Sequence, residues 1–187
     1  IRLYYFLIKV LVPFNRRAAE WYRGRKTEGV ENQEEIPQHL PVIWFHASSL
    51  GEYEQAAPLI KMWKSKNPDH FILLTFYSPS GFNQQKGNSD VDRVTYLPLD
   101  IESEVKRFLD YFNPLKVIII KNEIWPVLMN ELSSRQIPSF LVSALFRKDQ
   151  LFFKWYGAWY LSVLKMFTFF FVQDASSAKI LSEHQIN

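Results

Sequence analysis

Cysteine is absent from the 187 residues, which excludes a disulfide framework and thiolate metal sites and fits a reducing compartment. The histidines, His39, His46, His70 and His184, have no metal-ligand spacing between them. Neither the Gly-x-x-x-x-Gly-Lys-Ser/Thr phosphate loop nor the Gly-x-Gly-x-x-Gly fingerprint occurs, so a complete nucleotide site within this chain is not expected. No serine has a partnered His-Asp arrangement, which argues against hydrolase chemistry. The excess of positive charge is small, 22 Lys and Arg against 19 Asp and Glu, too little for a continuous nucleic-acid groove, and no nucleic-acid partner is expected. Internal repeats and low-complexity tracts are also missing.

Long apolar runs are lacking too. Residues 1–14 are apolar but fall short of the roughly 20 that a membrane span requires, and no small-residue cleavage site follows them. Residues 151–172 have the length, but Lys154 and Lys165 interrupt them and Gly157 sits inside. Two soluble elements account for that stretch, a helix over 152–166 and a buried aromatic strand over 167–172.

Aromatic residues are plentiful at 17%. Basic residues at Arg2, Lys9, Arg16 and Arg23 step along one side of a helical pattern, with Leu3, Leu7, Val10 and Phe14 as an apolar stripe and Trp21 and Tyr22 as interfacial aromatics. Arg17, Arg25 and Lys26 add to the charge, and Pro13 should bend or divide the helix. Such an element suits an anionic membrane surface; a helix packed on the domain with a solvated basic side accounts for the same pattern. In the later helix, Trp155, Tyr156, Trp159 and Tyr160 are expected to pack against a sheet rather than to meet lipid.

Residues 27–41 turn polar and acidic, with Glu31, Glu34 and Glu35 ahead of Pro37 and Pro41, and mark a linker or surface loop. The division expected is therefore a membrane-proximal segment over 1–41 and an organised domain over 42–187. In the latter, apolar runs at 42–45, 71–76, 93–97, 116–121, 139–142 and 167–172 alternate with helical patterns at 53–66, 101–112, 124–136, 152–166 and 175–184. Alternation of this kind predicts an α/β fold, a parallel sheet with helices on both faces.

A parallel sheet gathers its carboxyl ends along one edge, where ligands bind. The corner His46-Ala47-Ser48-Ser49-Leu50-Gly51-Glu52 follows the first strand. Ser48, Ser49 and Gly51 allow close backbone approach at a helix start, and Glu52 is either a cap or a base already ionised at neutral pH. Later strands end in Thr75, Ser78, Ser80 and Gly81, in Lys121, Asn122 and Glu123, and in Ser143 and Arg147. Hydroxyls, carboxylates and cations of this sort suit a phosphate- or carboxylate-bearing ligand, while Ser78-Pro79-Ser80-Gly81 alone reads as a turn.

The heptapeptide resembles the His-Ala-x-Ser-x-Gly-Glu signature of the amino-terminal domain of bacterial 3-deoxy-D-manno-octulosonic acid (Kdo) transferases. Glu123-Ile124-Trp125-Pro126 resembles that family's Glu-Ile-Trp-Pro motif, and Thr75 to Gly81 its Pro-Thr-Gly turn with Ser for Thr. Two departures stand out. Lys121 occupies a position where the family commonly has a second Glu, and Ser143-Ala144-Leu145 replaces Asn-Ala-Arg, with Arg147 as the candidate cation. The resemblance implies the Rossmann-like amino-terminal half of a GT-B glycosyltransferase, without its donor domain. It implies transfer from CMP-Kdo to the lipid A precursor at the cytoplasmic face of the bacterial inner membrane, with no metal or cofactor. Glu52 would be the general base, and Ser49, Gly51, Ser78, Ser80, Gly81, Lys121, Glu123 and Arg147 would meet the acceptor. Opposed to this stand a non-catalytic membrane-surface module and a GT-B enzyme with another lipid-linked acceptor.

Overall fold

A computed structural model describes residues 2–27, 40–121 and 123–186. The acidic stretch with Glu31, Glu34, Glu35 and Pro37, and Asn122, lie outside the described residues, as do the side chains of Arg2, Leu3 and Arg17. Six strands form one sheet: β1 (Val42–Ala47), β2 (Phe71–Phe76), β3 (Arg93–Tyr96), β4 (Lys116–Ile120), β5 (Ser139–Ala144) and β6 (Phe169–Val172). Every pairing is parallel, in the order β3-β2-β1-β4-β5-β6. From β1 the chain adds strands on one side and then returns to the other, so the switch point falls between β1 and β4.

Because successive strand side chains point to opposite faces, β1 supplies both layers of core. Trp44 joins Leu73, Val117, Ile119 and Leu141 beneath α5 (Glu102–Phe112), α6 (Pro126–Ser134), α7 (Ala158–Leu164) and α8 (Ala175–Glu183). Ile43 and Phe45 join Ile72, Leu74 and Ile118 beneath α3 (Leu50–Lys66) and α4 (Pro79–Gln85). All residues of β1 and β2 are buried, as a sheet covered on both faces requires. At roughly 1.5–3 kcal/mol per fully buried large side chain, these central strands dominate the stability of the fold.

Ahead of the sheet, α1 (Arg2–Leu11) and α2 (Arg16–Thr27) form a pair, separated at Pro13 as its missing N–H demands. Trp21 is buried, packed edge-on against Tyr77 and beneath Arg25, and is not an interfacial aromatic. The Arg25 guanidinium is likewise turned inward, among Trp21, Tyr77 and Tyr96, rather than toward the surface. Gly24 permits this approach, since a Cβ there would stand 2.7 Å from the Tyr96 hydroxyl. The stripe is exposed, with Leu7, Val10 and Leu11 on α1 and Phe14 in the turn after it.

Four further expectations are corrected. The helix over 152–166 is broken into a 3-10 turn at Leu151–Phe153 and the short α7. The chain folds back between them at Gly157, whose N–H donates to the Lys154 carbonyl at 2.8 Å and where a Cβ would strike the Leu151 carbonyl oxygen. That turn leaves Trp155 92% exposed, with Tyr156 and Trp159 also exposed, so these aromatics do not pack on the sheet. The last strand, β6, lies at the sheet edge and only Phe170 of its phenylalanines is buried; Phe169 and Phe171 face outward. Lastly, Ser78 to Gly81 is the start of α4: Ser78 is its N-cap, accepting from the Gly81 N–H at 3.3 Å, and Pro79 opens the helix.

Candidate active site at the sheet switch point

Beyond Ala47 the chain turns through Ser48 and Ser49 into α3. Ser49 is the extended N-cap residue, but its side chain makes no cap bond. Glu52, in the first helical turn, folds back and accepts the Ser48 N–H at 2.6 Å through Oε2. Capping therefore holds one carboxylate oxygen. Among the described residues, Oε1 accepts no hydrogen bond. An added Cβ at Gly51 would meet nothing within 4 Å, so the helix start opens on free space, and its dipole favours an anionic group there.

Behind the corner runs a chain of buried hydrogen bonds. The Trp44 indole N–H donates to Thr75 Oγ1 at 2.8 Å, and His46 Nδ1 lies 2.9 Å from that hydroxyl and 3.2 Å from the Thr75 carbonyl. The carbonyl can only accept, which assigns the proton to Nδ1 and leaves Nε2 to face the Ser48 hydroxyl at 3.4 Å. Burial, with a smaller push from the Arg25 charge, drives the His46 pKa down to about 3. His46 is thus a neutral strut that positions Ser48.

On the other side of the switch point, Glu123 follows the end of β4. Burial raises its carboxyl above the ordinary range and the Glu52 charge raises it further; the Ser48 hydroxyl and the Trp125 indole offset this only in part. Trp125 Nε1 is buried without a hydrogen bond among the described residues, so Glu123 feels its dipole without bonding to it. The opposed environments of Glu52 and Glu123, one fixed by a backbone amide and one desolvated, place two unlike acids in one crevice.

The strands flanking the crevice end in strained backbone. Lys121 and Ser143 both adopt left-handed φ, 61° and 60°, which non-glycine residues visit rarely and mostly where function or tight packing holds them. Ser143 donates to Gln55 Oε1 at 2.9 Å, and Gln173 donates to the Ser143 carbonyl at 2.9 Å. Gln55 and Gln173 went unnoticed in the sequence; the one available signal was that Gln55 sits three residues after Glu52.

Lys121 is half-buried at the edge, whereas Arg147 is exposed in the loop after β5, its N–H donating to Gln150. Among the described residues neither makes an ion pair. Ser78 is tied to the corner through its N–H and the Ser48 carbonyl at 2.9 Å; Ser80 is exposed beside it, with the two hydroxyls 3.3 Å apart. Gly81 is buried against the Phe76 ring, which an added Cβ would strike, and so serves packing. No group of three or more His, Asp or Glu side chains that could hold a metal ion occurs among the described residues.

The parallel order and its switch point define a Rossmann-like domain, matching the amino-terminal domain of a GT-B fold. The family described as 3-Deoxy-D-manno-octulosonic-acid transferase (kdotransferase) matches residues 18–187, and the chain belongs to it. Among its relatives, the 3-deoxy-D-manno-octulosonic acid transferase of Haemophilus influenzae is 33% identical over 103 residues, 54% of this chain and 24% of that protein. A probable mitochondrial 3-deoxy-D-manno-octulosonic acid transferase of Arabidopsis thaliana is 32% identical over 154 residues, 76% and 34% of the respective chains. The Aquifex aeolicus transferase is 36% identical over 103 residues, 54% and 28%. The chain thus spans about a third or less of these relatives. UDP-GlcNAc 2-epimerase from Neisseria meningitidis shares the fold, with a TM-score of 0.59 over 79% of this chain and 44% of the other at 15% identity.

Proposed function

We propose that this chain is the acceptor-binding half of an inverting glycosyltransferase that moves Kdo from CMP-Kdo to the lipid A precursor in lipopolysaccharide biosynthesis. Glu52 is the general base: its Oε2 is fixed by the Ser48 amide, which leaves Oε1 to take the acceptor hydroxyl proton at the open start of α3. That geometry carries the proposal. As the sugar carbon bonds to the acceptor oxygen, its bond to CMP breaks and the nucleotide leaves with the electron pair. Ser49 and Gly51 border this space, Glu123 faces Glu52 across it, and Lys121 offers an acceptor phosphate a cation from the neighbouring strand end. Donor binding falls mainly to a second domain, so the 187 residues alone bind acceptor without transferring sugar.

Membrane attachment belongs to the same proposal. No helix among the described residues is long and apolar enough to cross a membrane. The exposed stripe of α1 suits a helix lying in the surface, at the cytoplasmic face of the inner membrane where the acceptor is met.

The test joins the chain to its donor half and compares Glu52→Gln with the unaltered protein. A base predicts that CMP release falls roughly 10²–10⁴-fold with melting temperature held. A cap alone predicts the reverse, a stability loss of about 0.5–2 kcal/mol with turnover retained.

A further inference from the structure

Past Lys121 in the sheet order, the ends of β5 and β6 carry a ladder of neutral polar side chains. The register between these strands skips one residue: Val142 pairs with Phe171 and Ala144 with Val172, which leaves Ser143 as a bulge. Bulges re-aim side chains and are over-represented next to active sites. Ser143 holds its left-handed φ of 60° there, and its hydroxyl reaches Gln55, one helical turn after Glu52 on α3. Three elements, α3, β5 and β6, thus meet in one hydrogen-bonded cluster at the carboxyl edge, beside the Glu52 crevice.

The direction of each bond follows from the groups involved. The Ser143 carbonyl can only accept, so the group 2.9 Å from it is the Gln173 amide nitrogen, whose second proton reaches the Ser143 hydroxyl oxygen at 3.0 Å. That hydroxyl, accepting from Gln173, gives its own proton to Gln55 Oε1 at 2.9 Å. Gln173 therefore spends its amide protons on Ser143 and displays its carbonyl oxygen, while Gln55 spends its carbonyl oxygen and displays its amide protons. Among the described residues neither displayed group has a hydrogen-bond partner, and both glutamines are exposed. A fixed donor beside a fixed acceptor complements hydroxyl groups, each of which gives and takes a hydrogen bond. An anion is disfavoured, because a phosphate or carboxylate oxygen would set acceptor against acceptor at Gln173.

We infer that Gln55 and Gln173 form a subsite for the hydroxyl groups of a saccharide ring, with Ser143 as the positioning residue that aims both amides. The inference deepens the proposed transfer reaction and rests on it in one respect, that the ring held here is the acceptor's. A site built to hydrogen-bond a hydroxyl rejects the analogue that lacks it, so this subsite selects the acceptor by its sugar rather than by its phosphates.

Amide NMR of the nitrogen-labelled 187-residue protein reads these side chains directly, with the uncharged disaccharide gentiobiose and with inorganic phosphate as probes. Gentiobiose should shift the Gln55 and Gln173 side-chain signals in a saturable way and leave in place that of Gln136, in the turn before β5 at the opposite edge. Phosphate should move the first two far less. Gln55→Met, which keeps the length and removes the displayed donors, should weaken the disaccharide by roughly three- to tenfold, the share of one neutral hydrogen bond. Ser143→Ala keeps both amides, yet it should weaken binding as much and move the Gln55 signal with no sugar present. Stationary amide signals with gentiobiose overturn the inference, as do phosphate shifts equal to those with the sugar, or undiminished affinity in Gln55→Met. In the protein joined to its donor half, Gln55→Met should raise the acceptor KM by the same factor and spare kcat. Transfer with unchanged KM in that variant sinks the subsite. Absence of transfer by the unaltered joined protein sinks the transfer reading instead, and the titration alone then decides the subsite.

Discussion

Arg25 and Tyr77 are joined across the domain: Nη2 of the arginine donates to the tyrosine carbonyl at 2.9 Å, and the guanidinium lies 4.7 Å from the tyrosine ring centroid. The bond spans 52 positions and fastens α2 to the loop that leaves β2. A cation held over Trp21, Tyr77 and Tyr96 is partly desolvated, where such contacts are strongest.

Arg25→Ala should therefore lower stability by about 1–3 kcal/mol, combining the lost cation–π contacts with the lost hydrogen bond. Arg25→Lys should fall between, because an ammonium keeps the charge but not the planar fork. Chemical denaturation gives the energies, and amide exchange should quicken in α2 well before it does in β1. Unchanged exchange in α2 for the alanine variant would rule out the arginine as the fastening.

Glu123 gives a pH dependence of definite sign. Its folded pKa is raised above the ordinary 4.5 by burial and then by Glu52, so the native protein holds a proton that the unfolded chain has released. This contribution to stability is full below the unfolded pKa and is lost as pH climbs through the folded one. Glu123→Gln removes that loss. The melting temperature of the variant minus that of the parent should rise from acid toward neutral pH. A constant difference across that window would mean that the carboxyl titrates alike in both states. Asp100, whose pKa burial also raises, is common to both proteins and cancels.

The α1 stripe makes a third prediction. Leu7 and Val10 of α1 and Phe14 in the turn after it are exposed while Ile8 is buried, so surface binding can use the stripe without unfolding anything. Replacing Val10 and Phe14 together with Glu should cut sedimentation with phosphatidylglycerol vesicles by at least about tenfold, since each removes an apolar side chain worth roughly 1.5–3 kcal/mol when fully buried. Melting temperature should stay put. Equal sedimentation of the double variant would transfer attachment to another surface, such as Trp155 and Trp159.

The strands and the acid-bearing corner were legible because both rest on local patterns: continuous apolar runs for buried strands, and small residues followed by Glu52 at the first helix start; the order of the strands in the sheet was not. Legibility failed where tertiary packing decided. Nothing in the spacing of Trp21 and Arg25 distinguishes a lipid-facing side from a cage, since the deciding partners, Tyr77 and Tyr96, lie far along the chain. Gly157 was visible inside its helical pattern, but not that the Leu151 carbonyl occupies the space a Cβ would need. Asp100 was missed for the same reason. Its carboxylate accepts from the Val127 and Leu128 amides at 3.1 and 2.8 Å, capping a helix that begins 26 positions later at Pro126.

The aromatic row has an optical consequence. Trp125 lies tilted against Tyr77 with ring centroids 5.1 Å apart and Tyr77 meets Trp21 at 5.8 Å, so chromophores from the crevice, the β2 loop and α2 are close enough for their transitions to couple. Near-ultraviolet circular dichroism should carry a signature of that coupling, one that weakens in Trp21→Phe, which leaves the Trp125–Tyr77 pair, while far-ultraviolet ellipticity persists. The molecule thus contains its own dye, an intrinsic signal by which occupancy of the crevice and the seating of the leading helices can be followed without a label.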